Sequence, residues 1–165
     1  MNKLTISILI LFSFQFADAQ ELGAYAFART PQIVNFQFSQ ADVRYSQGLS
    51  VGLGLTHKAH FLELGTFIFE GDSYGYYSFF GSTLKSTTIG DIVHLNTNWF
   101  GEVTHLPVQG ESKNASWVYT GGVCLFPNVQ LNKVNVGIPM CLGLAYQEKE
   151  YYLNNRFMLN LSYRL

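Results

Sequence analysis

The chain has 165 residues, a formal net charge of −1, 16% aromatic and only 13% charged residues, and fifteen glycines. Near-neutral charge without a basic run speaks against a nucleic-acid or acidic-surface partner, since such sites need clustered Lys and Arg. A soluble exported domain usually carries about a quarter charged residues, so this composition does not fit an ordinary water-facing surface.

Lys3 gives a short positive start, Leu4 to Phe16 an apolar core, and Ala17-Asp18-Ala19 a small-x-small cleavage site before Gln20. The pattern predicts a cleaved secretory signal peptide over residues 1–19, with 20–165 as one folded domain. The apolar run is too short for an anchor helix, and no later stretch reaches the ~18 consecutive apolar residues of a membrane helix. If the remaining chain crosses a membrane, it must do so as a closed barrel.

Strand one is expected over 22–28, with 33–38 either continuing it or lining a loop after Thr30-Pro31. Strand two sets Val43, Tyr45, Leu49, Val51, Leu53 and Leu55 against Arg44, Gly48, Ser50, Gly52 and Gly54. Such alternation marks a strand, because successive side chains leave it on opposite sides. His57-Lys58 turns the chain into strand three, with Leu62, Leu64 and Ile68 outward and Phe61, Glu63, Gly65 and Phe67 inward. Gly71-Asp72-Ser73 is a turn by composition. Strand four, from Tyr74 to about Leu84, is aromatic on both parities, which leaves its facing open. A turn at Lys85-Ser86 leads to strand five, about Thr88 to His105, with His94, Asn96, Asn98, Phe100 and Glu102 on one side. Pro107 to Ser116 is the longest polar stretch and reads as a loop.

Trp117 to Tyr146 carries the clearest pattern. Val123, Leu125, Val129 and Leu131 share one parity, and Val134, Val136, Ile138, Met140, Leu142 and Leu144 resume it after Asn132-Lys133. A two-residue turn there pairs Leu131 with Val134, Val129 with Val136, Leu125 with Met140 and Cys124 with Cys141. A slip of one residue would destroy the match. Two cysteines in an exported chain can pair; the alternative is two small buried thiols with no role beyond packing. After a charged turn at Gln147–Glu150, the last strand sets Phe157, Leu159, Leu161, Tyr163 and Leu165 against Arg156, Met158, Asn160, Ser162 and Arg164.

One face is thus a band of large aliphatics, and the other is Gly, Ala, Asn, Gln and Cys. A membrane barrel has this arrangement, with bulky residues toward lipid and small or polar ones in the lumen. The expected fold is all-β: an eight-stranded antiparallel up-and-down transmembrane β-barrel. Connections alternate short and longer, and Tyr45, Trp99, Trp117 and Tyr119 fall on the lipid parity, where aromatic girdles sit. The chain then resembles the small eight-stranded outer-membrane β-barrel proteins of Gram-negative bacteria, the OmpX-like size class. Gly52-Leu53-Gly54-Leu55 with His60-Phe61-Leu62-Glu63-Leu64-Gly65 also looks like small barrels of the Bacteroidota. Phe157–Leu165 is similar to the closing strand read by the barrel-insertion machinery. The resemblance implies the outer membrane as location and membrane lipids as partners.

A barrel of this size is filled by side chains. Arg44, Glu63, Glu102, Arg156 and Arg164 are all expected inward, as a paired lumenal charge network, because unpaired buried charge is costly; an ion or proton path is the alternative. No CxxC and no His cluster at ligand spacing suggests a metal or cofactor. Some eight-stranded barrels modify lipid A with Ser, His and an acid; His105, near Glu102 and Thr104, is the only histidine that fits, and no Ser stands at a matching spacing. The reading from a different class is a secreted soluble lipocalin-like barrel around a hydrophobic ligand, with bulky residues inside and polar ones outside.

Overall fold

The computed structural model describes residues 22–37, 43–69, 73–106, 116–147 and 149–165; within 31–48 and at 69, 73, 106 and 116 it describes the backbone path only. The proposed signal peptide, the Gly71-Asp72 turn and residues 107–115 of the polar loop lie outside these residues. The strands are β1 Leu22–Gln37, β2 Val43–His57, β3 His60–Phe69, β4 Ser73–Ile89, β5 Val93–Leu106, β6 Ser116–Leu131, β7 Val134–Gly137, β8 Met140–Gln147 and β9 Glu150–Arg164. Each pairs antiparallel with its neighbour, and β1 pairs with β9 from Tyr25↔Arg164 to Gln37↔Tyr152. That last pairing closes the sheet, so no strand edge is left.

β7 and β8 are two halves of one stave. Pro139 has no N–H for the ladder, yet the register continues across it: Val129↔Val136 before, Met140↔Leu125 and Cys141↔Cys124 after. The amide of Ile138 donates to the Pro127 carbonyl and that of Met158 to the Pro139 carbonyl, holding the interrupted residues in line. The result is a closed eight-stranded antiparallel β-barrel. The hairpin register is the one the alternation of Trp117–Tyr146 predicts.

One open point of the sequence reading is settled, and one segment differs from it. β1 passes through Pro31 without a break and takes in 33–37 as strand. The chain does not turn at Lys85-Ser86: β4 runs on to Ile89. Leu84 bulges between the pairs Thr83↔Asn98 and Lys85↔Thr97, and the turn falls at Gly90–Ile92, with Gly90 at φ 64°. The polar residues that resemble a turn are paired strand instead. The Ser86 hydroxyl donates to Asn96 Oδ1 at 2.7 Å, and Thr88 Oγ1 meets His94 Nδ1 at 3.2 Å. Polar side chains on both strands satisfy one another there, which overrides their turn preference.

The turns after β2, β4 and β6 share one end of the barrel with Leu22 and Leu165, here called the turn end. Asn132 (φ 55°) and Lys58 (φ 53°) supply the left-handed backbone that such tight hairpins need.

The faces separate by polarity. Leu53, Leu64 and Leu161 are 62%, 59% and 52% exposed on the outside, in line with many other large apolar residues. Phe27, Phe67, Tyr77, Phe79, Phe100 and Met158 are buried inside. The aromatic β4 is resolved accordingly: Tyr77 and Phe79 point in, Tyr74 and Tyr76 point out. Inward rings need room, and glycine on the facing strand provides it. Gly54 lies opposite Tyr25, and a Cβ on it would sit 2.2 Å from the Tyr25 ring.

Candidate functional site: the filled lumen

Among the described residues the lumen holds two ion pairs, each completed by hydrogen bonds. In the first, Arg29 from β1 reaches Glu63 on β3 with both terminal nitrogens, at 2.5 Å each. The Tyr25 hydroxyl donates to Glu63 Oε1 at 2.6 Å, and Arg29 Nε donates to Asn160 Oδ1 at 2.6 Å. In the second, Arg156 on β9 pairs with Glu102 on β5. Its Nε donates to Asn154 Oδ1 at 2.8 Å, and the Thr104 hydroxyl donates to the other Glu102 oxygen at 2.5 Å. Thr120 Oγ1 accepts from the remaining guanidinium nitrogen at 3.4 Å. All four charged side chains are buried. Charge buried in this way is tolerated only with a partner and a full complement of hydrogen bonds, and both groups have them.

Rings fill the space around the charges. The Arg29 guanidinium lies 4.3 Å from the Phe27 ring centroid, a cation–π contact. Phe61, Phe79 and Phe100 form a stack with centroids 5.4 and 5.1 Å apart. Adjacent strands place Glu63, Phe79 and Glu102 side by side in one row, so a ring separates the two carboxylates and each keeps its own arginine. A pocket of about 10 Å³ lies between the pairs, beside Arg29, Glu102 and Arg156, about the room one water needs.

Glu63, Glu102 and Arg156 are therefore lumenal and paired. Arg164, expected in the network, instead stays exposed at the turn end, opposite Tyr25 in the β1–β9 register and outside both pairs. Arg44 pairs with Asn35 along the backbone, and its side chain lies outside the described ones. Arg29 is the member that sequence reasoning missed. Its signal is parity, because it shares a face with Tyr25 and Phe27.

Cys124 and Cys141 are joined by a disulfide on the lumen face. The bond links strands already held by the ladder, so it removes less chain freedom than the ~3 kcal/mol of an otherwise open short loop. Reduction is expected to lower the urea midpoint only modestly and to leave the barrel closed. Alkylation followed by mass spectrometry checks the bond: no label before reduction, two labels after unfolding and reduction.

His105 does not join Glu102. Thr104 and Glu102 face the lumen, while His105 takes the opposite parity and packs edge-on against Trp117, centroids 4.7 Å apart. The constellation a lipid A-modifying site would need is not assembled around it. His105 instead belongs to an outer aromatic belt, in which Tyr76↔His105↔Trp117 and Tyr119↔Tyr146↔Tyr151 are cross-strand neighbours. Trp99 is also exposed on the outside, and Tyr45 lies outside the described side chains.

The soluble alternative requires bulky residues inside and polar ones outside. The aliphatic residues are outside, and Ser50, Asn128 and Asn160 are buried within.

No protein-family model matches the sequence, and no curated protein matches it. Among solved structures, Neisserial surface protein A is similar at 9% identity, over 86% of this chain and 97% of that one, with a TM-score of 0.57. The N-terminal β-barrel domain of Pseudomonas aeruginosa OprF overlays more loosely, at 10% identity, 87% and 99% coverage and a TM-score of 0.47. The first of these likenesses bears on the fold.

Proposed function

We propose that this chain is an outer-membrane β-barrel protein of a Gram-negative bacterium, exported through the signal peptide 1–19, with a structural or interaction role and no catalysis of its own. The observation that carries this reading is the inverted polarity: a lipid-type aliphatic face outside, and charge held in closed pairs inside. A lumen filled in this way suits a scaffold rather than a channel. Contacts with partners would then fall to the loops, Pro107–Ser116 foremost, and Phe157–Leu165 would be the segment offered to the barrel-insertion machinery.

Both tryptophans test the reading, because Trp99 and Trp117 are each exposed on the outer face. In vesicles of lipids brominated on the acyl chains, tryptophan fluorescence is expected to be strongly quenched relative to unbrominated vesicles. A protein that stays in the aqueous phase with unquenched emission would contradict a lipid-facing exterior.

A further inference from the structure

Between the Arg29–Glu63 pair and the turn end, the lumen widens into a cavity of about 380 Å³, within the range of small-molecule sites. We propose that this vestibule binds a neutral sugar, one or two rings of a glycan presented at the turn end. The site belongs to the barrel itself. Only the compartment supplying the glycan, the periplasm, rests on the outer-membrane reading.

The chemistry of the walls selects the ligand class. Asn96, Asn98, Gln130 and Asn135 line the cavity with amides, beside the rings of Phe61 and Phe126. An amide presents a donor and an acceptor side by side, which suits neighbouring hydroxyls, and a flat ring offers the apolar face on which a pyranose stacks. The deep part of the cavity offers an ion no free charge. Glu63, the one carboxylate of the lining, is engaged by Arg29 and Tyr25. Of the lining cations at the mouth, Lys133 holds its ammonium 5.7 Å from the Tyr163 ring centroid, and Tyr163 belongs to the outer face. Lys133 and Arg164 are thus the cations an anion would meet, both exposed at the mouth, and it would have to give up its hydration to go deeper.

Two of the amides are incompletely satisfied, and both lack a donor. Asn98, itself 9% exposed, has an Oδ1 with no hydrogen-bond partner, and so does Asn135. The orientation of Asn135 follows from its neighbour. Asn128 Nδ2 donates to the Phe126 carbonyl at 3.0 Å, so its Oδ1 accepts from Asn135 Nδ2 at 3.1 Å and leaves the Asn135 oxygen over. Both oxygens are enclosed by their neighbours, so the proposal includes a turn of each amide toward the seated sugar. What they require is an O–H or N–H, which a sugar carries and a sulfate lacks.

The test is calorimetric titration of the full-length barrel, folded in a zwitterionic detergent without a sugar headgroup. The probes are N,N′-diacetylchitobiose, cellobiose and sodium sulfate. Saturable binding of either disaccharide, weakened about tenfold or more in Asn98→Leu and in Gln130→Leu, is expected, with sulfate giving none. Preference for the acetamido sugar would assign the site to wall-type glycans, and preference for cellobiose to plain glucans. Gln130 is exposed at the mouth, so its variant keeps the test valid should Asn98→Leu not fold. No disaccharide binding by folded barrel, binding undiminished in Gln130→Leu, or binding of sulfate alone would overturn the proposal. Lipid quenching of the tryptophans is unaffected by any of these outcomes, so the two readings fail separately.

Discussion

Glu63→Ala is expected to lower the free energy of unfolding by about 3–5 kcal/mol, the usual cost of stranding one partner of a buried ion pair. The substitution removes the acceptor of three donors at once: both terminal nitrogens of Arg29 and the Tyr25 hydroxyl. Arg29 is left with Asn160 and the Phe27 ring, neither of which neutralises its charge. The paired replacement Arg29→Met with Glu63→Leu removes both charges and is expected to recover most of the loss, because a fully apolar substitute avoids the desolvation penalty of each ion. Urea unfolding in micelles, followed by tryptophan fluorescence and by gel mobility, gives the two midpoints. A single variant as stable as the parent would mean that Arg29 is hydrated and that the lumen is not closed at this level.

Leu53→Arg is expected to cost about 2–4 kcal/mol in a bilayer, the penalty of a charge at the midplane of a lipid-facing strand. Leu53 is 62% exposed and lies opposite Leu64, itself 59% exposed, near the middle of the β2–β3 hairpin. The sign makes this informative. On a water-facing surface the same change would be neutral within about 0.5 kcal/mol. Refolding yield and urea midpoint in lipid vesicles separate the cases, and a neutral result there would place this face in water.

The hairpin around Asn132-Lys133 was legible in the sequence because nearly every position obeys one rule, bulky out and small in, Phe126 being an inward exception, and only one register keeps it. The closing strand was legible for the same reason, from Arg156 to Tyr163. Two kinds of information were not there to read. Local polarity could not distinguish a turn from a strand end whose polar side chains bond to each other, as Ser86 with Asn96 does; the glycine at φ 64° marks the real turn four residues on. Nor could parity assign partners across the lumen. It puts Glu63, Glu102 and Arg156 inside, but which arginine meets which acid depends on the stagger of the strands around the barrel. Glu63 therefore meets Arg29, a residue that sequence reasoning had not placed on the lumen face, and Arg164 ends at the mouth.

The central claim is a closed barrel with a lipid-facing exterior. The most direct measurement is electrophoretic mobility in SDS of protein from the host's membrane fraction, with and without boiling. An outer-membrane protein is expected whose unboiled form migrates as a compact band and shifts to the unfolded position on heating, with Leu53→Arg reducing the compact fraction. Soluble protein with a single band under both conditions would contradict it.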